Sequence, residues 1–194
     1  MAVYTKINKE DISVINNKFN IEKIVSFQGI KKGIENTNYL LKSKNKKFIL
    51  TIFEKRVSNK EIPFFMKLMD KLNNSKINCP KPLKDNNGKY LIKLKNKTAC
   101  IVSFLKGKDK NKLDLKNCFE VGKIIAQIHL VTKNIDLTRK NSMGIKNLDP
   151  LLKSIKFRSN KFSNLEKFLA NNLNEIKKNW PKNYRKALFM VIYL

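Results

Sequence analysis

The chain has 194 residues, of which 42% are apolar, so it is long enough to bury the core of one domain or slightly more. Its formal net charge of +27 makes nucleic acid or an anionic membrane surface the first partners to consider. We find no apolar run of the roughly 20 residues that span a bilayer, and the charged N-terminal segment lacks the apolar stretch of a secretion signal. We therefore expect a cytoplasmic protein without a membrane partner.

The basic charge comes almost entirely from lysine, since arginine occurs at only four positions. Arginine is the preferred residue for bidentate contacts to phosphate and guanine. The lysines are dispersed and accompany abundant asparagine and isoleucine, and all three residue types have A/T-rich codons. We interpret the charge as a consequence of genome composition and do not expect nucleic acid as the partner.

Histidine and cysteine are too sparse to predict a metal site. There is one histidine, and the three cysteines, Cys79, Cys100 and Cys118, are far apart and form no CxxC pair. We expect these cysteines to be reduced and to behave as small apolar residues.

The first half of the chain alternates one short helix with strands. Helical spacing of Ile12, Ile15 and Phe19 predicts a helix over 8–19. Runs of β-branched and aromatic residues separated by short turns then predict a three-strand antiparallel meander, with strands over 21–30, 34–43 and 46–55.

The next segments continue this pattern. An apolar stripe predicts a helix over 59–76, with Asn59 as its cap and Pro63 in its first turns. The prolines of 79–83 favour an extended chain. Two further strands follow, entered through an Asn-Asn-Gly turn and joined by a tight Lys-Asn-Lys turn at 95–97.

The second half is predicted to be mainly helical. We predict a helix over 115–134, a loop-rich stretch over 135–160 and a helix over 163–179. Ser163 and Glu166 have the spacing of a capping box. A small antiparallel sheet carrying one helix and followed by helices is an α+β layout, which we divide into an N-lobe over 1–105 and a partial helical C-lobe over 106–194.

The turn after the first strand has the composition of a phosphate-binding loop. Gly29 and Gly33 would allow the backbone to approach a phosphate closely, and Asn36 and Asn38 could donate hydrogen bonds to oxygen. A glycine turn between strands is by itself also typical of an ordinary hairpin. No GxxxxGK[ST] sequence occurs, so a P-loop is excluded.

The order of elements is that of kinase-like proteins: strand, glycine turn, two strands, helix, two strands, connector, helices. Glu61, at the start of the helix over 59–76, could pair with a cation of the third strand, although a first-turn acid also interacts favourably with the helix dipole. The segment IVSFLKG would be the connector, with the backbone of Ser103, Phe104 and Leu105 facing an adenine edge.

Six segments of the chain carry a specific resemblance to one family. The segments FQGIKKGIENTNYLL, FILTIFEKRV, IPFFMKLMDKL, CPKPL, IVSFLKG and VGKIIAQIHL are collinear with homoserine kinase, of the type related to aminoglycoside phosphotransferases and choline kinases. The resemblance implies a protein-kinase-like fold. It also implies ATP and Mg²⁺ as cofactors and transfer of the γ-phosphate to the hydroxyl of L-homoserine, a step of threonine biosynthesis.

The resemblance also defines two departures from the family. Where broader kinase-like chains carry a third-strand lysine, this chain has Thr51, and Thr51, Lys55 or Arg56 would contact phosphate. The family's catalytic loop, of the type His-Gly-Asp-Leu-Phe-Pro-Asp-Asn, supplies the base and a Mg²⁺ ligand and does not occur in these 194 residues. We therefore assign no catalytic or metal-binding residue and expect the chain to be inactive alone.

The last residues suggest an origin for the missing loop. One permitted codon choice for Lys186–Leu194, read in another frame, gives Ser-Ile-Ile-His-Gly-Asp-Leu-Phe. We interpret 184–194 as a frameshifted tail, with a natural apolar strand as the alternative.

Two alternative functions remain open at this stage. One is a related small-molecule kinase of the aminoglycoside or choline type, because the part that selects the acceptor is missing. The other is a basic nucleic-acid-binding protein, which would bind with an affinity that falls steeply with salt.

Overall fold

Residues 3–54, 58–108, 110, 112–139, 144–155 and 163–180 are described in the computed structural model. They belong to two compact units, one ending at Leu137 and the other beginning at Thr138. The predicted lobe boundary after residue 105 stays a prediction, and the tail over 184–194 lies outside the described residues.

The first unit begins with α1 (Lys9–Lys18), which closely matches the predicted helix. A capping box starts it: the Asn8 side chain accepts from the Asp11 amide at 3.0 Å, and the Asp11 carboxylate accepts from the Asn8 amide at 2.8 Å. These two bonds satisfy backbone donors that the first turn would otherwise leave unpaired.

A five-stranded antiparallel sheet follows, as the sequence predicted. Its order is β1-β2-β3-β5-β4, and its strands are β1 (Ser26–Gly29), β2 (Thr37–Lys42), β3 (Lys47–Ile52), β4 (Leu91–Leu94) and β5 (Lys97–Ser103). The first strand is shorter than the predicted 21–30. The turn between β4 and β5 contains Lys95 and Asn96, both with positive φ, which is typical of a two-residue hairpin turn.

The two faces of the sheet are covered by different helices. Side chains of β2, β3 and β5 such as Leu41, Leu50 and Ile101 are fully buried in one cluster with Ile15 of α1. The other face packs against α2 (Ile62–Asn74). Strands β3 and β5 therefore lie between two apolar layers, which fixes their register, because a slip of one residue would exchange the two faces.

Helix α2 begins later than the sequence predicted. Its N-cap is Glu61, which makes no side-chain capping bond, so the prediction of Asn59 as the cap was wrong. Pro63 lies in the first turn, where its missing N–H costs no intrahelical bond. The late start follows from this proline, because it fits the first turn of a helix but not the interior.

Helix α3 (Leu115–Thr132) packs on α2 through its C-terminal half. Ile128 and Val131 lie against Leu68 and Leu72 of α2. Apolar side chains in the N-terminal half of α3 are exposed among the described residues, and Phe119 is 70% accessible to solvent.

The second unit contains α4 (Ile145–Ser154) and α5 (Ser163–Asn179), which contact each other. The prediction of loop over 135–160 was therefore wrong for the α4 region. The capping contact predicted for Ser163 lies outside the described side chains. In the described ranges, no helix combines the length and apolar character needed to cross a bilayer.

Candidate functional site

The strand register sets the distance between the two predicted parts of the nucleotide site. Thr37, at the end of the glycine turn (residues 30–36), pairs with Ile52 of β3, whereas Ser103 of the connector pairs with Phe48. Four residue steps of β3 separate these pairs, or about 13 Å at roughly 3.3 Å per residue. That length is comparable with the reach of an extended nucleotide from its base to its terminal phosphate.

The two glycines predicted to approach a phosphate, Gly29 at the end of β1 and Gly33 in the turn, are favoured at their positions for different reasons. A Cβ on Gly29 would lie 2.9 Å from Cγ2 of Val3, so Gly29 leaves room for the N-terminal segment. Gly33 has φ of 126°, a backbone conformation that side chains disfavour, and it is exposed. Gly33 therefore lies at a position that favours glycine, whereas Gly29 makes room for Val3, and contact of either residue with phosphate stays a prediction.

The three polar candidates near the turn are all buried. Thr51 donates a hydrogen bond to Oδ1 of Asn38 at 2.8 Å, and the two residues are directly paired across β2 and β3. Asn36 is also buried, and within the described residues its Oδ1 accepts no hydrogen bond. An unpaired buried acceptor costs about 1–3 kcal/mol, so this oxygen is a natural partner for a ligand donor.

The remaining phosphate candidates are less well defined. Lys55 and Arg56 lie outside the described residues. Glu61 is half-buried at the N-terminal end of α2, and its pairing with a third-strand cation stays a prediction.

Of the three connector amides predicted to face an adenine edge, those of Ser103, Phe104 and Leu105, one has no hydrogen-bond partner among the described residues. The Ser103 amide donates to the Lys81 carbonyl at 2.9 Å, and the Phe104 amide donates to the Lys47 carbonyl at 3.3 Å. Among the described residues, the Leu105 amide has no such partner. The donor that the connector could offer to an adenine edge is therefore the Leu105 amide.

A buried polar cluster that sequence reasoning missed lies at the end of β3. Oε1 of Glu54 accepts from the hydroxyls of Thr5 at 2.7 Å and Thr37 at 2.6 Å. Nζ of Lys97 donates to Oε2 of Glu54 and, at 2.7 Å, to the Thr5 hydroxyl. The cluster joins the N-terminal segment, β2, the end of β3 and β5.

The ionisation of Glu54 follows from this environment. Burial raises the pKa of Glu54, but hydrogen bonds from Lys97, Thr37 and Thr5 and the charge of Lys97 together outweigh burial and leave the pKa below its usual value. Glu54 therefore carries a negative charge at neutral pH.

No short-range pattern could have revealed this cluster. Thr5 and Lys97 are 92 positions apart. The available signal was weaker: Glu54 follows the buried end of β3, and an acid at such a position requires a partner.

The described residues do not form a magnesium site. They contain no group of three or more His, Cys, Asp or Glu side chains placed to hold a metal ion. Three features of the described residues could contact a nucleotide instead: the backbone at Gly33, which has positive φ, the unpaired Asn36 oxygen and the Leu105 amide.

Comparison with known proteins identifies the family. Residues 26–189 match the sequence model of the phosphotransferase enzyme family. The chain belongs to this family. The match covers all five strands of the sheet and the helices that follow them.

Named relatives of this phosphotransferase-family chain agree with the resemblance seen in the sequence. The homoserine kinase of Paramagnetospirillum magneticum is 37% identical over 183 residues, which cover 94% of this chain and 56% of that protein. The homoserine kinase of Gluconobacter oxydans is 39% identical over 154 residues, which cover 79% of this chain and 49% of that protein. The chain thus spans about half the length of these relatives.

Solved structures confirm the fold. A spectinomycin phosphotransferase in complex with ADP and spectinomycin matches 90% of this chain and 56% of its own, with a TM-score of 0.56 and 14% identity. A microcompartment-associated aminopropanol kinase matches 74% of this chain and 48% of its own, with a TM-score of 0.57 and 13% identity. The predicted kinase-like α+β arrangement of the sheet and its helix is therefore correct.

Proposed function

We propose that this phosphotransferase-family chain is the nucleotide-binding portion of a homoserine kinase. The whole enzyme would use ATP and Mg²⁺ to phosphorylate the hydroxyl of L-homoserine in the cytoplasm. The observation that carries the proposal is the collinear match to relatives named homoserine kinase across 94% of the chain. Support from the site comes from the distance between the glycine turn and the connector, which suits a nucleotide.

In this proposal the nucleotide lies along the sheet. The Leu105 amide would donate to the base, and the backbone around Gly33 would approach the phosphates. The unpaired oxygen of Asn36 would accept a hydrogen bond from a ribose hydroxyl of the nucleotide. Thr51 is the weaker phosphate candidate, because its hydroxyl proton already bonds to Asn38.

The 194 residues alone would bind nucleotide without transferring phosphate. Phosphoryl transfer needs a positioned base and electrostatic stabilisation of the transferring group. The loop that would supply the base by resemblance does not occur in this sequence.

Two measurements test the proposal. The purified chain should bind a fluorescent ATP analogue and give no turnover with ATP, Mg²⁺ and homoserine; clear turnover would show that the missing loop is dispensable. The gene should then be sequenced beyond codon 186 in all frames, and the continuous protein assayed with homoserine, choline and an aminoglycoside. Preference for either of the latter would contradict homoserine as the acceptor.

A further inference from the structure

A short N-terminal segment lies against the glycine turn at both of its ends. We call Val3–Ile7 the N-terminal brace. Its first residue, Val3, lies over the backbone of Gly29, where an added Cβ would come within 2.9 Å of Val3 Cγ2. The close packing of Val3 on the residue before the turn therefore depends on the absence of a Cβ at Gly29.

Tyr4 contacts the middle of the turn. Its hydroxyl donates a hydrogen bond to the Ile34 carbonyl at 2.9 Å, while the Ile34 side chain is 75% exposed. At the end of the turn, the amides of Tyr4 and Thr5 both donate to the Thr37 hydroxyl, at 3.0 and 3.1 Å. The brace therefore contacts the turn itself at Ile34 and both strand residues that flank it, Gly29 and Thr37.

The brace is itself fixed to the sheet. The Tyr39 hydroxyl donates to the Thr5 carbonyl at 2.9 Å and accepts from the Ile7 amide at 3.3 Å. The Thr5 hydroxyl donates to Glu54. Chain termini are usually poorly ordered unless they are tied down, and these bonds supply such a tie.

We propose that the N-terminal brace positions the glycine turn for nucleotide binding and that Tyr4 is the positioning residue. Tyr4 acts through the backbone of the turn and does not itself contact the nucleotide. The inference rests on the proposed function, because it assumes that the turn receives the phosphates. It assigns a role to a segment that lies before the first strand of the sheet.

The test compares three variants of the whole chain. Tyr4→Phe removes the bond to Ile34 and keeps the ring. Gly29→Ala adds a Cβ that collides with Val3. Tyr90→Phe removes a hydroxyl near Asp70 on a different part of the sheet and is the matched control.

Three readouts separate positioning from general stability. They are the dissociation constant of a fluorescent ATP analogue, the melting temperature, and the rate of native-state tryptic cleavage at the exposed Lys31 and Lys32 of the turn. Cleavage at Lys95 in the β4–β5 turn reports on general loosening. Loss of one hydrogen bond should weaken nucleotide binding and accelerate cleavage at the glycine turn by about threefold to tenfold in Tyr4→Phe.

The outcomes are distinct. The inference is supported if Tyr4→Phe binds nucleotide more weakly and is cleaved faster at Lys31 and Lys32, while cleavage at Lys95 is unchanged. Nucleotide binding and cleavage of the Tyr90→Phe control should equal those of the parent. Normal binding by Tyr4→Phe and Gly29→Ala overturns it and leaves the proposed function intact. Failure of the parent chain to bind nucleotide overturns both, and the parent titration alone identifies that case. Equal loosening at both turns shows a general structural role and also overturns the inference.

Discussion

The Glu54 cluster gives the most direct test of the described structure, through the substitution Glu54→Gln. The change removes the charge and keeps the shape of the side chain. It affects bonds to Thr5, Thr37 and Lys97 simultaneously. We expect the free energy of unfolding to fall because the neutral amide of glutamine accepts hydrogen bonds from these donors more weakly than the carboxylate does.

The expected loss in the free energy of unfolding lies between the loss on breaking a surface ion pair and the loss on breaking a buried one. Surface pairs contribute about 0–1 kcal/mol, and breaking a fully buried pair costs about 3–5 kcal/mol. The Glu54 side chain is 10% exposed and that of Lys97 40% exposed, so one partner retains much of its hydration. We expect a loss of about 2 kcal/mol, which corresponds to a shift of about 1 M in the urea midpoint for a chain of this size.

The pH dependence has a defined sign. Because the folded-state pKa of Glu54 is lowered, the stabilisation is present above the unfolded pKa, which is about 4.3 for glutamate, and is lost as the pH falls through the folded pKa. The difference between the parent and Glu54→Gln should therefore be largest near neutral pH and shrink on acidification. Lys97→Met should weaken the same pH dependence, because it removes the donor that lowers the pKa most.

Urea unfolding followed by circular dichroism measures these differences. Glu10→Gln is the matched control, because it makes the same charge change at an exposed site in the first turn of α1 and should cost at most about 0.5 kcal/mol. The reasoning fails if Glu54→Gln and Glu10→Gln lose the same stability at neutral pH. It also fails if the loss at Glu54 does not change with acidification.

The remaining predictions concern other ionisable groups. A thiol reagent should modify the exposed Cys118 first and Cys79 more slowly, whereas Cys100 should react only on unfolding, because complete burial raises its pKa to about 12. Equal rates for the three thiols would contradict the described burial. Burial and Asp70 raise the pKa of Tyr90 to about 12, so its contribution to stability should be complete below pH 10 and be lost between pH 10 and 12. Comparing absorbance titrations of the parent and Asp70→Asn tests this, and an unchanged tyrosine titration would refute the role of Asp70.

The sheet was predictable because its signals are local. Runs of β-branched and aromatic residues marked the strands, and the Lys-Asn-Lys sequence marked a turn in which Lys95 and Asn96 do adopt positive φ. Helix α4 was missed because Pro150 lies inside it and proline is typical of helix ends. The helical spacing of Ile145, Leu148 and Leu152 was present and was the better signal.

The site was predictable only in its backbone part. Gly33 was predicted to let the backbone approach a phosphate, and that contact stays a prediction; its φ of 126° shows only that the position favours glycine. The packing reason for Gly29 could not be predicted, because Val3, which lies against it, is 26 positions earlier in the sequence. Contacts of this kind arise when the chain folds back on itself, and one sequence read locally contains no record of them.

Burial within the first unit separates nucleotide binding from phosphate transfer. Leu41, Leu50 and Ile101 of the sheet are fully buried, so the part that would hold the nucleotide has its own core. In α3, by contrast, Leu115 is 90% exposed and Leu130 72% exposed among the described residues, and apolar side chains so placed require a covering surface. No residue of α3 belongs to the buried cluster that contains Leu41, Leu50 and Ile101. Under the proposed function, nucleotide binding would therefore persist in this chain even where acceptor phosphorylation is absent, and the two parts of that proposal can be tested separately.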